Sequence, residues 1–161
     1  MLSTTERNER IEQIRSLPDR IIPLAQDLTV EQLDAPGAEG EWSLRQVIHH
    51  IADAHLNAYL RTKLILTEEK PILKPFNQDA WARLPDTTRS GIQPSLWIIQ
   101  GVHQRWAELL ADQPEENWQR CGIHLEAGKV SLDDILKLYA GHGETHLAQL
   151  QQLRSQLAER K

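Results

Sequence analysis

Two histidines stand four residues apart toward the end of the chain, His142 and His146, in the stretch YAGHGETH. On a helix this spacing stacks two imidazoles about 40° apart around the axis, where both can ligate one divalent ion. The stretch nearly spells H-E-x-x-H, the zinc-protease motif in which a general-base glutamate follows the first histidine. Here Gly143 holds that place. The glutamate, Glu144, comes one residue late and lies about 200° around the helix from His142. Protease chemistry by that route is excluded, which leaves a metal pair or two core histidines held by hydrogen bonds.

The surrounding residues favour the metal. Leu132, Ile135, Tyr139, Leu150, Leu153 and Leu157 recur at three-four spacing and mark one buried seam, and His142 and His146 fill its two positions without an apolar residue. Burying two imidazoles without partners costs a few kcal/mol. Gly141 and Gly143 flank the first of them. Each costs about 1 kcal/mol against alanine in a helix interior, which predicts something close to the backbone there. An ion held firmly needs at least a third protein ligand, from His49, His50, His55, His103, His124 or a carboxylate. The stretch HHIADAH supplies three of these. On its helix His50 lies between two apolar arcs, within about 20° of Asn57 and Arg61, whereas His55 is about 140° away. Periodicity alone leaves His50 and His55 level. The polar column of His50, Asn57 and Arg61 favours His50.

Three neutral imidazoles leave a divalent ion its full charge and an open position. Such a site lowers the pKa of water from 15.7 toward about 7 and polarises a carbonyl. It can equally bind and deprotonate an external thiol. The chemistry expected is hydrolysis of a small-molecule substrate, or S-transfer from a low-molecular-weight thiol. A non-catalytic metal-binding bundle is the alternative of another class, and a structural zinc site would close the fourth position with protein. Asn57 and Arg61 are candidates to orient water or an anionic substrate, Arg61 having a surface ion pair as its other role. Asp53 is either a partner for a ligand imidazole's N–H or a solvated carboxylate. Asp79 and Trp81 either close the pocket from the long segment or serve in packing, while His103, His124 and Cys121 read as structural.

Four long helical stretches must position these groups. The first spans about Thr5 to Leu28, with Pro18 and Pro23 expected to break or kink it; TVEQLDAP then offers a turn of helix before the loop GAEGEW. The second opens at a capping box, Ser43 with Gln46, and continues to about Leu66. A long segment with four prolines follows, a candidate pocket wall. The third helix runs from Pro94–Ser95 to about Asp112. CGIHLEAGKV suggests a brief hairpin, and Ser131 with Asp134 opens the fourth helix. The fold expected is all-α, a single domain over residues 1–161 built as a four-helix bundle with one long crossing segment.

Composition narrows the partners. Net charge is −5 with no basic block, which argues against nucleic acid. No apolar run reaches the roughly 20 residues of a membrane span, and the first residues lack a signal peptide's apolar core, so a cytoplasmic protein is expected. The lone Cys121 excludes an internal disulfide. Five tryptophans outnumber the other aromatics and read as core and rim packing.

HHIADAH on the second helix and YxxHxxxH on the fourth, set in EWSLRQVIHHIADAHLNAYLRTKL, KPFNQDAWARLPD and GKVSLDDILKLYAGHGETHLAQL, resemble the DinB/YfiT-like metalloenzyme superfamily, in particular its YfiT branch of metal-dependent hydrolases. The resemblance covers most of the chain. It implies a four-helix bundle in which three histidines bind one divalent metal, nickel or zinc. It maps one ligand onto His50, before Ile51–Ala52, and the other two onto His142 and His146. It also implies a homodimer and, through branches that use low-molecular-weight thiols, S-transfer beside hydrolysis. One departure stands out. The family commonly has a Trp before the first histidine of the pair and a His or Arg between the two, where this chain has Gly141, Glu144 and Thr145. The pocket around the ligands is therefore expected to differ. Imidazole suits Zn, Ni, Cu and Fe alike, so the residues themselves do not name the metal.

Overall fold

The structure, a computed structural model, describes residues 1–37 and 41–159. The centre of the GAEGEW loop lies outside them. Helix α1 (Thr4–Ala25) starts at a capping box in which Ser3 and Glu6 satisfy each other's backbone N–H. Of the break or kink expected at Pro18 and Pro23, the break does not occur, and the helix continues through both prolines. A helical proline removes one hydrogen bond, and burial of Ile11, Ile14, Leu17 and Ile21 along the same face holds the helix on course. A second capping box, Thr29 with Gln32, opens the short α2 (Val30–Asp34). Helix α3 (Leu44–Thr67) begins at the Ser43–Gln46 box.

The segment after α3 has more regular structure than its prolines suggested. It forms a two-residue strand β1 (Ile72–Leu73) and two single-turn helices, α4 (Gln78–Trp81) and α5 (Pro85–Thr88), the latter packed on α3. Helix α6 (Gln93–Ala111) carries its proline in the first turn, where no N–H is missed. The expected hairpin is present as β2 (Cys121–His124) and β3 (Gly128–Ser131), and β1 adds to it in parallel. Gly122 permits that addition, since a Cβ there would sit 2.8 Å from Leu73 and 2.9 Å from the Pro71 carbonyl. Helix α7 (Leu132–Glu159) starts at the Ser131–Asp134 box.

Helix α1 packs on α6 and α7, and α3 packs on the same two, which sets α1 opposite α3 across a four-helix bundle. The core is divided. One apolar cluster holds Ile14, Ala58, Trp106, Leu136 and Tyr139; the other holds Leu17, Ile51, Ile99, Leu147 and Leu150. On α3, α6 and α7 the change from one cluster to the other is marked by histidines: His50 and His55, His103, and His142 and His146. A polar layer therefore crosses the bundle at mid-height. Among the described residues, no helix is long and apolar enough to cross a membrane.

Candidate metal centre

The two long helices α3 and α7 face each other along the seam, and three imidazoles meet between them. Nε2 of His142 lies 3.1 Å from Nε2 of His50 and 3.2 Å from Nε2 of His146. One ligand atom from each of the three falls within 4.8 Å of the others. His50 is buried, whereas His142 and His146 are half-buried, so the cluster lies near the surface of the seam.

The donor set fits a divalent ion. Bonds of about 2.0–2.1 Å at tetrahedral angles place neighbouring nitrogens about 3.3 Å apart, close to the 3.1 and 3.2 Å of the two pairs centred on His142, with the third pair within 4.8 Å. Burial pushes the His50 imidazole down to about 4 and that of His142 down to about 3, with neighbouring histidines adding to both. Burial also lowers His146, against the opposing effect of its hydrogen bond to the Gln149 amide oxygen. Burial thus favours the neutral imidazole in all three, the form that ligates. Neutral imidazole nitrogens this close satisfy one another poorly, because each ring has a single N–H to offer. A cation accepting three lone pairs satisfies them together.

Other side chains hold the rings. Nδ1 of His146 is 2.8 Å from the amide oxygen of Gln149, one turn further along α7. Trp42 meets His50 edge-on with ring centres 4.7 Å apart. His55, the other candidate from HHIADAH, lies behind the cluster, its Nε2 3.0 Å from Nδ1 of His142. These ring N–H groups are where the sequence suggested Asp53. Its carboxylate makes no such bond; it is half-buried and pushed up to about 6, by burial first and then by Asp86.

The polar column of α3 is differently employed than its types suggested. Asn57 returns its amide to the Asp53 carbonyl at 3.0 Å. Arg61 is buried, not on the surface, and donates to the Tyr139 hydroxyl at 3.0 Å and to the Lys74 carbonyl at 2.6 Å. It reaches the site through Tyr139, whose ring centre is 5.7 Å from that of His142. Asp79 is exposed, and Trp81 packs on Phe76. A cleft of about 520 Å³ does open beside His142, lined by Asp134, Lys137, Leu138, Gly141 and Thr145 of α7.

The two glycines of the motif separate. A Cβ at Gly141 would meet nothing within 4 Å, whereas one at Gly143 would lie 2.7 Å from Leu17. Gly141 opens on the cleft, and Gly143 admits Leu17 of α1, with His55 at ordinary contact distance. His124 accepts the N–H groups of Glu126 and Ala127 within the hairpin turn, and Cys121 is half-buried in β2. Gln149 and Trp42 were not singled out from the sequence. Gln149 could have been, since it follows His146 by one turn on the same face.

The fold and the site define a four-helix bundle with a candidate three-histidine metal centre between two of its helices. Residues 13–150 match the DinB superfamily, and the chain belongs to that family. It is 42% identical over 146 residues to a protein of Oceanobacillus iheyensis named "Putative metal-dependent hydrolase", spanning 91% of this chain and 84% of that one. A Bacillus cereus protein of the same name is 39% identical over 147 residues, with the same coverage. Among solved structures, YfiT from Bacillus subtilis matches with a TM-score of 0.93 at 32% identity, over 98% of this chain and 91% of that one. That structure is described as a probable metal-dependent hydrolase with an unusual four-helix bundle topology.

Proposed function

We propose that this chain is a metal-dependent hydrolase acting on a small molecule, with His50, His142 and His146 holding one divalent ion, Zn2+ or Ni2+. The observation that carries the proposal is the meeting of three neutral imidazole nitrogens at a spacing suited to one ion. The names given to its relatives support it. A bound ion would supply Lewis acidity, activating water and polarising the bond to be cleaved. The chain's own residues keep the donors neutral by burial and fix their rings through Gln149 and Trp42. Helix α7 offers no base at the protease position, which Gly143 holds, and the neighbouring Glu144 is engaged with Arg20 of α1. The cleft beside His142 presents Leu138, Gly141 and Thr145, with Asp134 and Lys137 at its end nearer the start of α7. It suits a small substrate with an apolar body and a polar end.

The test is turnover of a panel of activated esters and amides by metal-stripped protein reloaded with Zn2+ or Ni2+, with and without an added thiol. The expected result is hydrolysis that requires the metal, needs no thiol and is lost in His142→Ala. Strict thiol dependence would replace hydrolysis with S-transfer. A cobalt spectrum showing four protein ligands would replace the enzyme with a structural site.

A further inference from the structure

Behind the three candidate ligands runs a line of hydrogen bonds that touches all four long helices. It starts at a backbone carbonyl. Pro18 has no N–H, so the Ile14 carbonyl lacks the partner that an ordinary residue four places on would give it. Nδ1 of His103, on α6, lies 2.6 Å from that oxygen. Nε2 of His103 lies 2.9 Å from Nδ1 of His55 on α3, and Nε2 of His55 lies 3.0 Å from Nδ1 of His142 on α7.

The direction of this line follows from its first member. A carbonyl only accepts, so His103 must carry its proton on Nδ1. A neutral imidazole has one N–H, which leaves Nε2 of His103 as an acceptor. His55 must then donate from Nδ1 and accept at Nε2, and His142 must donate from its own Nδ1. Nε2 of His142 is left bare, and it is the atom that faces His50 and His146. Neutrality holds along the line: His103 and His55 are 0% and 1% exposed, and neither has a carboxylate partner among the described residues. Because the line ends on a carbonyl, it cannot pass a proton onward. What it can do is orient.

We propose that His55 and His103 are positioning residues that hold His142 in the tautomer that leaves Nε2, the atom facing His50 and His146, free to ligate a metal, anchored at the carbonyl that Pro18 leaves free. The proposal rests on the three-histidine reading of the site and adds to it the source of its preorganisation. Reversing the line would put a proton on Nε2 of His142, block the ligand position and leave the Ile14 carbonyl facing a lone pair. At His146 the amide oxygen of Gln149 acts in the same sense, drawing the proton to Nδ1. Two bare nitrogens then face each other 3.2 Å apart, an arrangement that favours a cation between them.

The experiment is a long-range proton–nitrogen correlation of the histidine side chains in the full-length, metal-free, nitrogen-15-labelled protein, followed by Zn2+ affinity from chelator competition. The expected spectrum shows His103, His55 and His142 protonated at Nδ1 before any metal is added. His103→Leu removes the acceptor for His55, and Zn2+ affinity should fall about 10–100-fold. His103→Gln offers an amide oxygen to His55 and should recover most of that loss. A metal-free His142 protonated at Nε2 overturns the proposal, as does unchanged affinity in a folded His103→Leu variant. Should that variant not fold, the wild-type spectrum decides alone. Wild-type protein that binds no Zn2+ would instead refute the metal site itself, a result distinct from a wrong tautomer.

Discussion

Glu144 meets Arg20 of α1 through two hydrogen bonds of 2.6 and 2.7 Å, on the side of α7 turned away from His50. The glutamate that makes HGETH look like a protease motif is thus part of an interhelical ion pair at the surface. Glu144→Gln should leave metal content and turnover unchanged. It should lower stability in urea by less than about 1 kcal/mol, the usual size of a partly exposed pair. A large loss of turnover with intact metal would return Glu144 to the chemistry.

The two glycines of the motif should respond in opposite directions. Gly141→Ala adds a methyl to open space on a helix and should stabilise by up to about 1 kcal/mol. Gly143→Ala drives a methyl into the buried Leu17, and overpacking of that kind costs about 1–3 kcal/mol, more than the propensity gain. Urea titration of both variants checks this, and equal shifts would show that α1 and α7 approach differently.

Arg61 should behave as a brace for Tyr139. Arg61→Met strands the Tyr139 hydroxyl and the Lys74 carbonyl and should destabilise by about 1–3 kcal/mol. Tyr139→Phe should cost about 1 kcal/mol, and the double variant should cost less than the sum of the two. Additive costs, or a loss of turnover in Arg61→Met without loss of stability, would place the guanidinium on substrate instead.

Asp53 predicts a pH dependence of definite sign. Its carboxyl is pushed up to about 6 from an ordinary 3.8, chiefly by burial and next by Asp86. The folded protein therefore holds this proton more tightly than the unfolded chain does. Its contribution is fully favourable below about pH 4 and is lost as pH rises through about 6. Asp53→Asn should raise the melting temperature near pH 8 and leave it unchanged near pH 4, as followed by circular dichroism. A stabilisation that does not depend on pH would mean that the carboxylate is not the source.

Much of this could be read from residue types and spacing, because helix caps and seams are local features. Ser43 with Gln46 and Ser131 with Asp134 open α3 and α7 where their spacing places them. His142 and His146 share a face for the same reason. Pairings between distant segments were less legible. β1 joins the hairpin across some fifty residues of chain, and two short residues carry no sign of it. Arg61 and Asn57 stand in a polar column, but their partners, Tyr139, the Lys74 carbonyl and the Asp53 carbonyl, depend on how the chain is folded around them. His103 reads as a structural histidine on α6 alone; its place in the line appears only once the Ile14 carbonyl and His55 are brought beside it and His142 beside His55.

Metal stoichiometry decides whether His50, His142 and His146 hold an ion. Metal-stripped protein titrated with Zn2+ should take up a single ion per chain. His50→Ala, His142→Ala and His146→Ala should each lose most of it, and His55→Ala should keep the stoichiometry at about 10–100-fold weaker affinity. Full retention in His50→Ala, with loss in His55→Ala, would place the ion on His55 and refute the His50 site.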